Sequence, residues 1–414
     1  MVRPQTPMGV DRPRRLRRVG AVLTVLCAIA ATTLVAVPAQ AVGPGGPCAL
    51  PRSQAHHSEG LDSWNPAYPR PVGRLDAVMI FLSFPDSKPA VSPEKLAADH
   101  FPATSRFFER ASYGRFSLRA HPVKRWFRMP RSATSYRIQR DWDGDRRSDY
   151  LRDAVAAADP GVDFSRYDLV YLVADPDAPG VDSDATKVVN LDRPLQADGV
   201  PLRRIVTVFE HHPPDRNVLA HETGHVLDLP DLYHRPTDGK GDWDTHVGDW
   251  DLMGSQFGLA SDPFGWHKWK LGWLTPAQVA CARGPSRALY TLQPLETPMQ
   301  PGGDNRTRLV VIRTGTTTAL AVEARSAFGN DSGACTEGVL IYRVHSDTAS
   351  GGGPVQVLDG HPGHQACWGE SVYPPLADAP LGVGESLSSE ADGVRVTVRG
   401  RTAGGSWTVG VSRA

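Results

Sequence analysis

The apolar positions of this chain change rhythm along its length. In the first two-thirds they gather into short runs: Leu75-Asp76-Ala77-Val78-Met79-Ile80-Phe81-Leu82, Asp168-Leu169-Val170-Tyr171-Leu172-Val173 and Arg204-Ile205-Val206-Thr207-Val208-Phe209. Runs this short, rich in β-formers and closed by turn residues such as Asp175-Pro176, predict strands. Between the first two, Ser92-Pro93-Glu94 opens a helix that runs to about Ser112, with serine at the cap and proline in the first turn. Strands alternating with helices up to about residue 275 predict a mixed α/β domain with a mixed sheet. From about Ala288 the helical signals stop. Leu309–Ile312, Val339–Tyr342 and Val394–Val398 are then separated by Gly-rich turns, which predicts an all-β, sandwich-like domain.

The N-terminus has a different pattern. Arg12, Arg14, Arg15, Arg17 and Arg18 precede an apolar run from Val19 to Val37, and Pro38-Ala39-Gln40-Ala41 ends in the small-x-small pattern of a signal-peptidase site. The expected organisation is a signal peptide at 1–41, an extended Gly/Pro/His-rich lead-in at 42–70, the α/β domain at 71–280 and the β domain at 281–414. An uncleaved anchor is the competing reading, since about 20 apolar residues can span a bilayer. The cleavage box favours export, and with it a secreted chain that keeps no membrane anchor.

Export sets the reading of the cysteines. Cys48, Cys281, Cys335 and Cys367 remain after cleavage, and an even count in an exported chain predicts two disulfides. Three connectivities are possible, and the pairing Cys335–Cys367 with Cys48–Cys281 is preferred, chiefly because Cys335 and Cys367 share the β domain. The alternative makes Cys48 a thiolate that caps an active-site metal and keeps it latent.

Composition adds one exclusion and one bias. The 414 residues carry 45 basic and 45 acidic side chains, so the chain lacks the basic excess of a nucleic-acid binder. That neutrality is an average over unlike pieces. Of 34 Asp residues, 23 fall between Asp141 and Asp262, so this segment is acidic and suited to cations.

The same segment holds the central motif, Val218-Leu219-Ala220-His221-Glu222-Thr223-Gly224-His225-Val226-Leu227-Asp228-Leu229-Pro230-Asp231. On a helix His221 and His225 share one face, and two imidazoles so placed can hold Zn²⁺ at about 2.0–2.1 Å each. Glu222 projects beside them to take a proton from water as general base. Asp215, after Pro213-Pro214, is the expected helix cap. A catalytic zinc needs a third protein ligand, and no Glu occurs between Glu222 and Glu296 to supply one from a second helix. Pro230 disfavours helical geometry at Leu229, and Asp228 tolerates the left-handed conformation that ends a helix. The chain can therefore turn back and bring Asp231 to the metal. His234 is the alternative ligand.

This motif, continued through Leu229-Pro230-Asp231-x-Tyr233, resembles the zinc motif of the immune inhibitor A-type secreted metallopeptidases, which are metzincin-like. Its short form is also similar to snapalysin, where an Asp is the third ligand. Asp249-Trp250-Asp251-Leu252-Met253-Gly254 resembles the family's Met-turn, which implies Met253 beneath the metal. Trp266-His267-Lys268-Trp269-Lys270-Leu271-Gly272-Trp273-Leu274, Phe81-Leu82-Ser83-Phe84-Pro85-Asp86 and Ser112-Tyr113-Gly114 are similar to family landmarks, so that about residues 71–345 are covered. The resemblance implies a metzincin-like catalytic domain and peptide-bond hydrolysis with Zn²⁺. Two positions depart from the metzincin pattern. Asp228 stands where metzincins carry Gly, and Ser255 where some carry the Tyr that stabilises the transition state. Tyr233 and the pair His211-His212 are the candidates for that role. An extended substrate would pair with a sheet edge, for which the Arg204–Phe209 strand is the candidate.

Two further clusters have competing readings. Asp141, Asp143, Asp145 and Asp149 alternate as Ca²⁺ ligands do, although Arg146 and Arg152 rule out an EF-hand; the alternative is a solvated loop that caps the next helix. Trp243, Trp250, Trp266, Trp269 and Trp273 crowd the motif region, as core packing or as a carbohydrate platform. The expectation as a whole is a monomeric secreted zinc endopeptidase acting on protein or peptide substrates. The rivals are a non-catalytic adhesion protein on a protease-like scaffold, and a zinc hydrolase acting on something other than peptides.

Overall fold

A computed structural model describes residues 46–283, 287–300 and 304–413, so the signal-peptide expectation for 1–41 lies outside the described residues. The first half is built on a five-stranded sheet. In chain order its elements are β1 (Gly73–Ser83), α1 (Pro93–His100), α2 (Ala103–Ala111), β2 (Phe116–Arg128), α3 (Ala133–Tyr136), α4 (Gly144–Ala158), β3 (Leu169–Ala174), β4 (Lys187–Ala197), β5 (Val200–Val208), α5 (Val218–Val226) and α6 (Gly265–Lys270). The strand order is β2-β1-β3-β5-β4, with β4 antiparallel to β5 and the other pairs parallel.

The three expected strands are the interior ones, β1, β3 and β5. Strands buried on both faces are apolar throughout and so stand out in a sequence. One face of β1 offers Ala77, Met79 and Phe81 to α1, α2 and α5; the other offers Val78, Ile80 and Leu82 to α4. The edge strands β2 and β4 were not anticipated, because each carries many polar residues.

The single helix expected from Ser92 to Ser112 is two. Ser92 caps α1, its side chain accepting from the Lys95 N–H at 3.3 Å, but Phe101 is extended ahead of Pro102 and the chain restarts as α2. A residue before proline is forced out of helical geometry, which places the break.

Among the described residues the second half is built mainly from strands, with short 3-10 turns between some of them: β6 (Val279–Cys281), β7 (Ala288–Leu292), β8 (Leu309–Arg313), β9 (Thr318–Arg325), β10 (Gly338–His345), β11 (Val355–Val357), β12 (Ser386–Ser389), β13 (Val394–Arg401) and β14 (Trp407–Arg413). They form sheets ordered β11-β10-β9-β8-β6 and β12-β13-β14-β7. Val310, Ile312, Val322 and Ile341 of the first share a core cluster with Val396, Val398, Trp407 and Val409 of the second. The opposite face of the larger sheet, through Leu309, Val311, Ala321 and Tyr342, joins the core that holds Phe264, Trp266 and the site helix α5. The architecture is therefore mixed α/β with several sheets.

Residues 46–70 are not an extended lead-in. They form no helix or strand, yet Cys48, Leu50, His57, Ser58, Glu59 and Leu61 are buried. Disulfides join Cys48 to Cys281 and Cys335 to Cys367, with Cα–Cα separations of 5.8 and 6.0 Å. Cys48 is thus disulfide-bonded in the core and is not a free thiolate. The disulfides fit a secreted or extracellular protein, and among the described residues no helix is long and apolar enough to cross a membrane.

Candidate metal centre

The site helix α5 starts after Asn217, which is left-handed at φ 59°. The expected cap, Asp215, lies outside the helix; its carboxylate accepts instead from the Gln256 amide at 3.3 Å. Thr223 fastens the helix to the sheet through a 2.9 Å hydrogen bond with the Tyr171 hydroxyl on β3. Gly224 faces Met253, so close that a Cβ there would meet the sulfur. Met253 is fully buried, and its carbonyl accepts from the Leu232 N–H at 2.9 Å. The turn that carries it therefore packs directly under the helix and the loop after it.

His221, His225 and Asp231 converge, with one ligand atom of each within 4.8 Å of the others. The chain reverses at Asp228, which is left-handed at φ 68°, and Asp231 Oδ1 comes to 3.3 Å from His221 Nε2 and 3.0 Å from His225 Nε2. Each imidazole has a fixed tautomer. His221 Nδ1 donates to the Leu252 carbonyl at 2.9 Å, and His225 Nδ1 to the Leu229 carbonyl at 2.8 Å. Both Nε2 lone pairs then point, with a carboxylate oxygen, at one place. Such a set requires a positive charge, and two imidazoles with one carboxylate fit a divalent cation such as zinc. Without a cation, a proton on His225 Nε2 fills that place. Burial opposes the imidazolium of His225, but the Asp231 carboxylate outweighs it and raises the pKa to about 9. Burial likewise opposes ionised Asp231, yet the two imidazoles hold it well below the usual carboxylate range.

Asp231 has support from the second half of the chain. The Ser350 hydroxyl donates to Asp231 Oδ2 at 3.0 Å and accepts from the Asp231 N–H at 2.8 Å, while Gly351 N–H donates to the Asp231 carbonyl at 3.0 Å. His234, the alternative ligand, stacks edge-on with His246 at 4.9 Å and does not line the cleft.

Glu222 stands beside the three, accepting from the Val188 N–H of β4 at 2.5 Å. Burial raises its pKa; the His225 and His221 charges work against the rise without cancelling it. The cleft above has a volume of about 520 Å³ and is lined by His221, Glu222, His225, Asp231, Lys187, Val188, Tyr233 and Trp243 among others. β5 was the expected substrate edge, but it pairs on both sides, with β3 and β4. The edge at the cleft is β4. Tyr233 lies in the cleft, its ring 5.4 Å from that of Trp243. Burial, and then the neighbouring Asp231 and Glu222 carboxylates, raise its phenol pKa, so it remains a donor. His211 and His212 do not line the cleft, and His212 pairs with Asp99 at 2.6 Å.

The four aspartates considered for Ca²⁺ do not gather. Asp143 caps α4 by accepting from Arg146 N–H, Asp149 pairs with Arg131 and Arg152, Asp141 lies 3.6 Å from Arg235, and Asp145 is exposed in the first turn of α4. Guanidinium or backbone groups face the carboxylates of Asp141, Asp143 and Asp149. Four of the tryptophans, Trp250, Trp266, Trp269 and Trp273, are core residues, and Trp243 alone reaches the cleft wall.

No family model matches this chain, and no curated protein matches it. Among solved structures it is similar to the crystal structure of wild type OgpA from Akkermansia muciniphila, at 12% identity over 80% of this chain and 90% of that one, with a TM-score of 0.27. A likeness this low carries no argument about fold or function.

Proposed function

We propose that this chain is a secreted zinc endopeptidase, with a metzincin-like catalytic domain of the immune inhibitor A type followed by a sandwich-like β domain. The observation that carries the reading is the convergence of His221, His225 and Asp231 beside Glu222, on the floor of a cleft bordered by an edge strand. Bound there, zinc supplies a Lewis acid that lowers the pKa of water and polarises a carbonyl. Glu222 is placed beside the three ligands to accept a proton from water and return it to a leaving amine. β4 borders the cleft as the outermost strand of its sheet and is the candidate surface for an extended peptide backbone, although its Val188 N–H is already held by Glu222. Tyr233 is the candidate donor to the oxyanion.

The test uses the mature chain, with zinc measured by elemental analysis and casein cleavage assayed with and without o-phenanthroline. Glu222→Ala is expected to keep zinc and lose cleavage, and Asp231→Ala to lose zinc. Wild-type activity in Glu222→Ala would overturn the mechanism. Zinc binding without any peptide cleavage would favour a binding or adhesion protein on this scaffold.

A further inference from the structure

Two aspartates near the metal centre hold a backbone conformation that side chains other than glycine rarely adopt. Asp228 has φ 68° and Asp251 has φ 81°, and both are buried. Each immediately precedes the residue whose carbonyl orients a ligand histidine: Leu229 for His225 and Leu252 for His221. A left-handed, buried aspartate persists only where its carboxylate is bound.

The segment before the sheet does that binding directly at Asp228, and at Asp251 it acts only through His267. Arg52 Nη2 lies 2.7 Å from Asp228 Oδ2, and His57 Nδ1 lies 3.0 Å from Asp228 Oδ1. Glu59 Oε1 lies 2.7 Å from His267 Nε2, whose Nδ1 is 2.6 Å from Asp251 Oδ2. Asp251 also accepts from the Met253 and Phe264 N–H groups at 2.8 and 2.7 Å, which closes the turn over Met253. Glu59 is held in turn by Lys270 Nζ at 3.4 Å. The disulfide from Cys48 to Cys281 ties this segment to the fold.

We propose that Arg52, His57 and Glu59 are positioning residues of the metal centre, acting through Asp228 and Asp251 on the carbonyls that aim His225 and His221. This rests on the metal-binding part of the function proposed above. It makes residues 52–59 part of the working enzyme, so that their removal disables the site. None of the three belongs to the ligand set; His57 also lies against His225, ring centroids 5.7 Å apart, so it bears on that imidazole's placement from two sides.

The experiment measures zinc affinity by competition with a chromogenic chelator, and the visible spectrum of the Co²⁺-substituted protein, in folded full-length mature chain. Arg52→Ala, His57→Phe and Glu59→Gln are each expected to weaken zinc by about 10–100-fold, the usual cost of losing an outer partner of a ligand, and to shift the Co²⁺ bands. Ser53→Ala removes a bond of the same segment to the Ser346 carbonyl and is expected to change neither. Asp228→Gly supplies a residue that adopts φ 68° without a clamp. In that background Arg52→Ala and His57→Phe are expected to lose their effect, whereas a segment that only staples the fold would leave it intact.

The inference is overturned if zinc affinity and Co²⁺ spectrum in Arg52→Ala and His57→Phe match wild type, or if Asp228→Gly leaves their effect unchanged. These readouts need no turnover. A wild type that binds zinc and cleaves no peptide therefore sinks the peptidase reading and leaves this one standing.

Discussion

Gly224→Ala sets two well-known effects against each other at the centre of the site. Alanine in a helix is favoured over glycine by about 1 kcal/mol. The added Cβ, however, would meet Met253 Sδ well inside contact distance and Met253 Cε at 3.1 Å, against the usual 3.5–4.0 Å or so between carbons. Met253 is fully buried, with Leu229 Cδ1 also 3.8 Å from the new carbon, so the thioether has little room to retreat. Overpacking a filled core costs about 1–3 kcal/mol. The clash is severe enough to fall in the upper part of that range, so the substitution is expected to destabilise by about 1–2 kcal/mol net. Met253→Ala removes the obstacle. In that background Gly224→Ala is expected to recover the helix preference and stabilise by up to about 1 kcal/mol, which makes the coupling between the two sites about 2–3 kcal/mol. Urea unfolding of the four proteins of the cycle gives each value from the midpoint and slope. A wild-type background stabilised by Gly224→Ala, or a cycle with no coupling, would refute the packing of the Met253 turn against the helix.

Two other outcomes follow from the site and its surroundings. Tyr233→Phe is expected to keep full zinc content and lower kcat on casein by about 10²–10³-fold, the cost of one oxyanion donor; a loss of less than threefold would remove Tyr233 from that role. His267 is buried between Asp251 and Glu59, and although burial opposes its charge, the two carboxylates raise its pKa to about 10 from 6.5. Its folded pKa is the higher one, so its stabilisation is complete below pH 6.5 and is lost as pH rises toward 10. The stability gap between wild type and His267→Gln in urea is expected to narrow over that window, and a gap that widens would contradict an imidazolium in the core.

The readable parts of this chain are those whose signal is local. The four-residue spacing of His221 and His225 puts both on one helical face whatever surrounds the helix. Pro230 and Asp228 announce a reversal after it, which is what brings Asp231 back. The interior strands β1, β3 and β5 stood out because burial on both faces demands unbroken apolar runs. Pro102 also carried a local signal, and the rule for the residue before proline would have split the first helix at Phe101.

Tertiary structure alone decided which partners meet across the chain. Edge strand β4 has too mixed a composition to stand out, and only the sheet order shows that it, not β5, borders the cleft. Asp228 pairs with His57 across 171 residues, Asp231 with Ser350 across 119 and His267 with Glu59 across 208. Periodicity cannot report contacts at such separations, because nothing in the neighbourhood of either residue depends on the other. Hence residues 46–70, with no rhythm of their own, read as a lead-in, whereas residues 48–50 and 57–61 are buried and the segment reaches the turns at Asp228 and Asp251. The alternating aspartates from Asp141 carried two readings in the sequence, a cation site and a helix-capping loop; only the fold shows Asp143 capping α4 and arginines reaching Asp141 and Asp149.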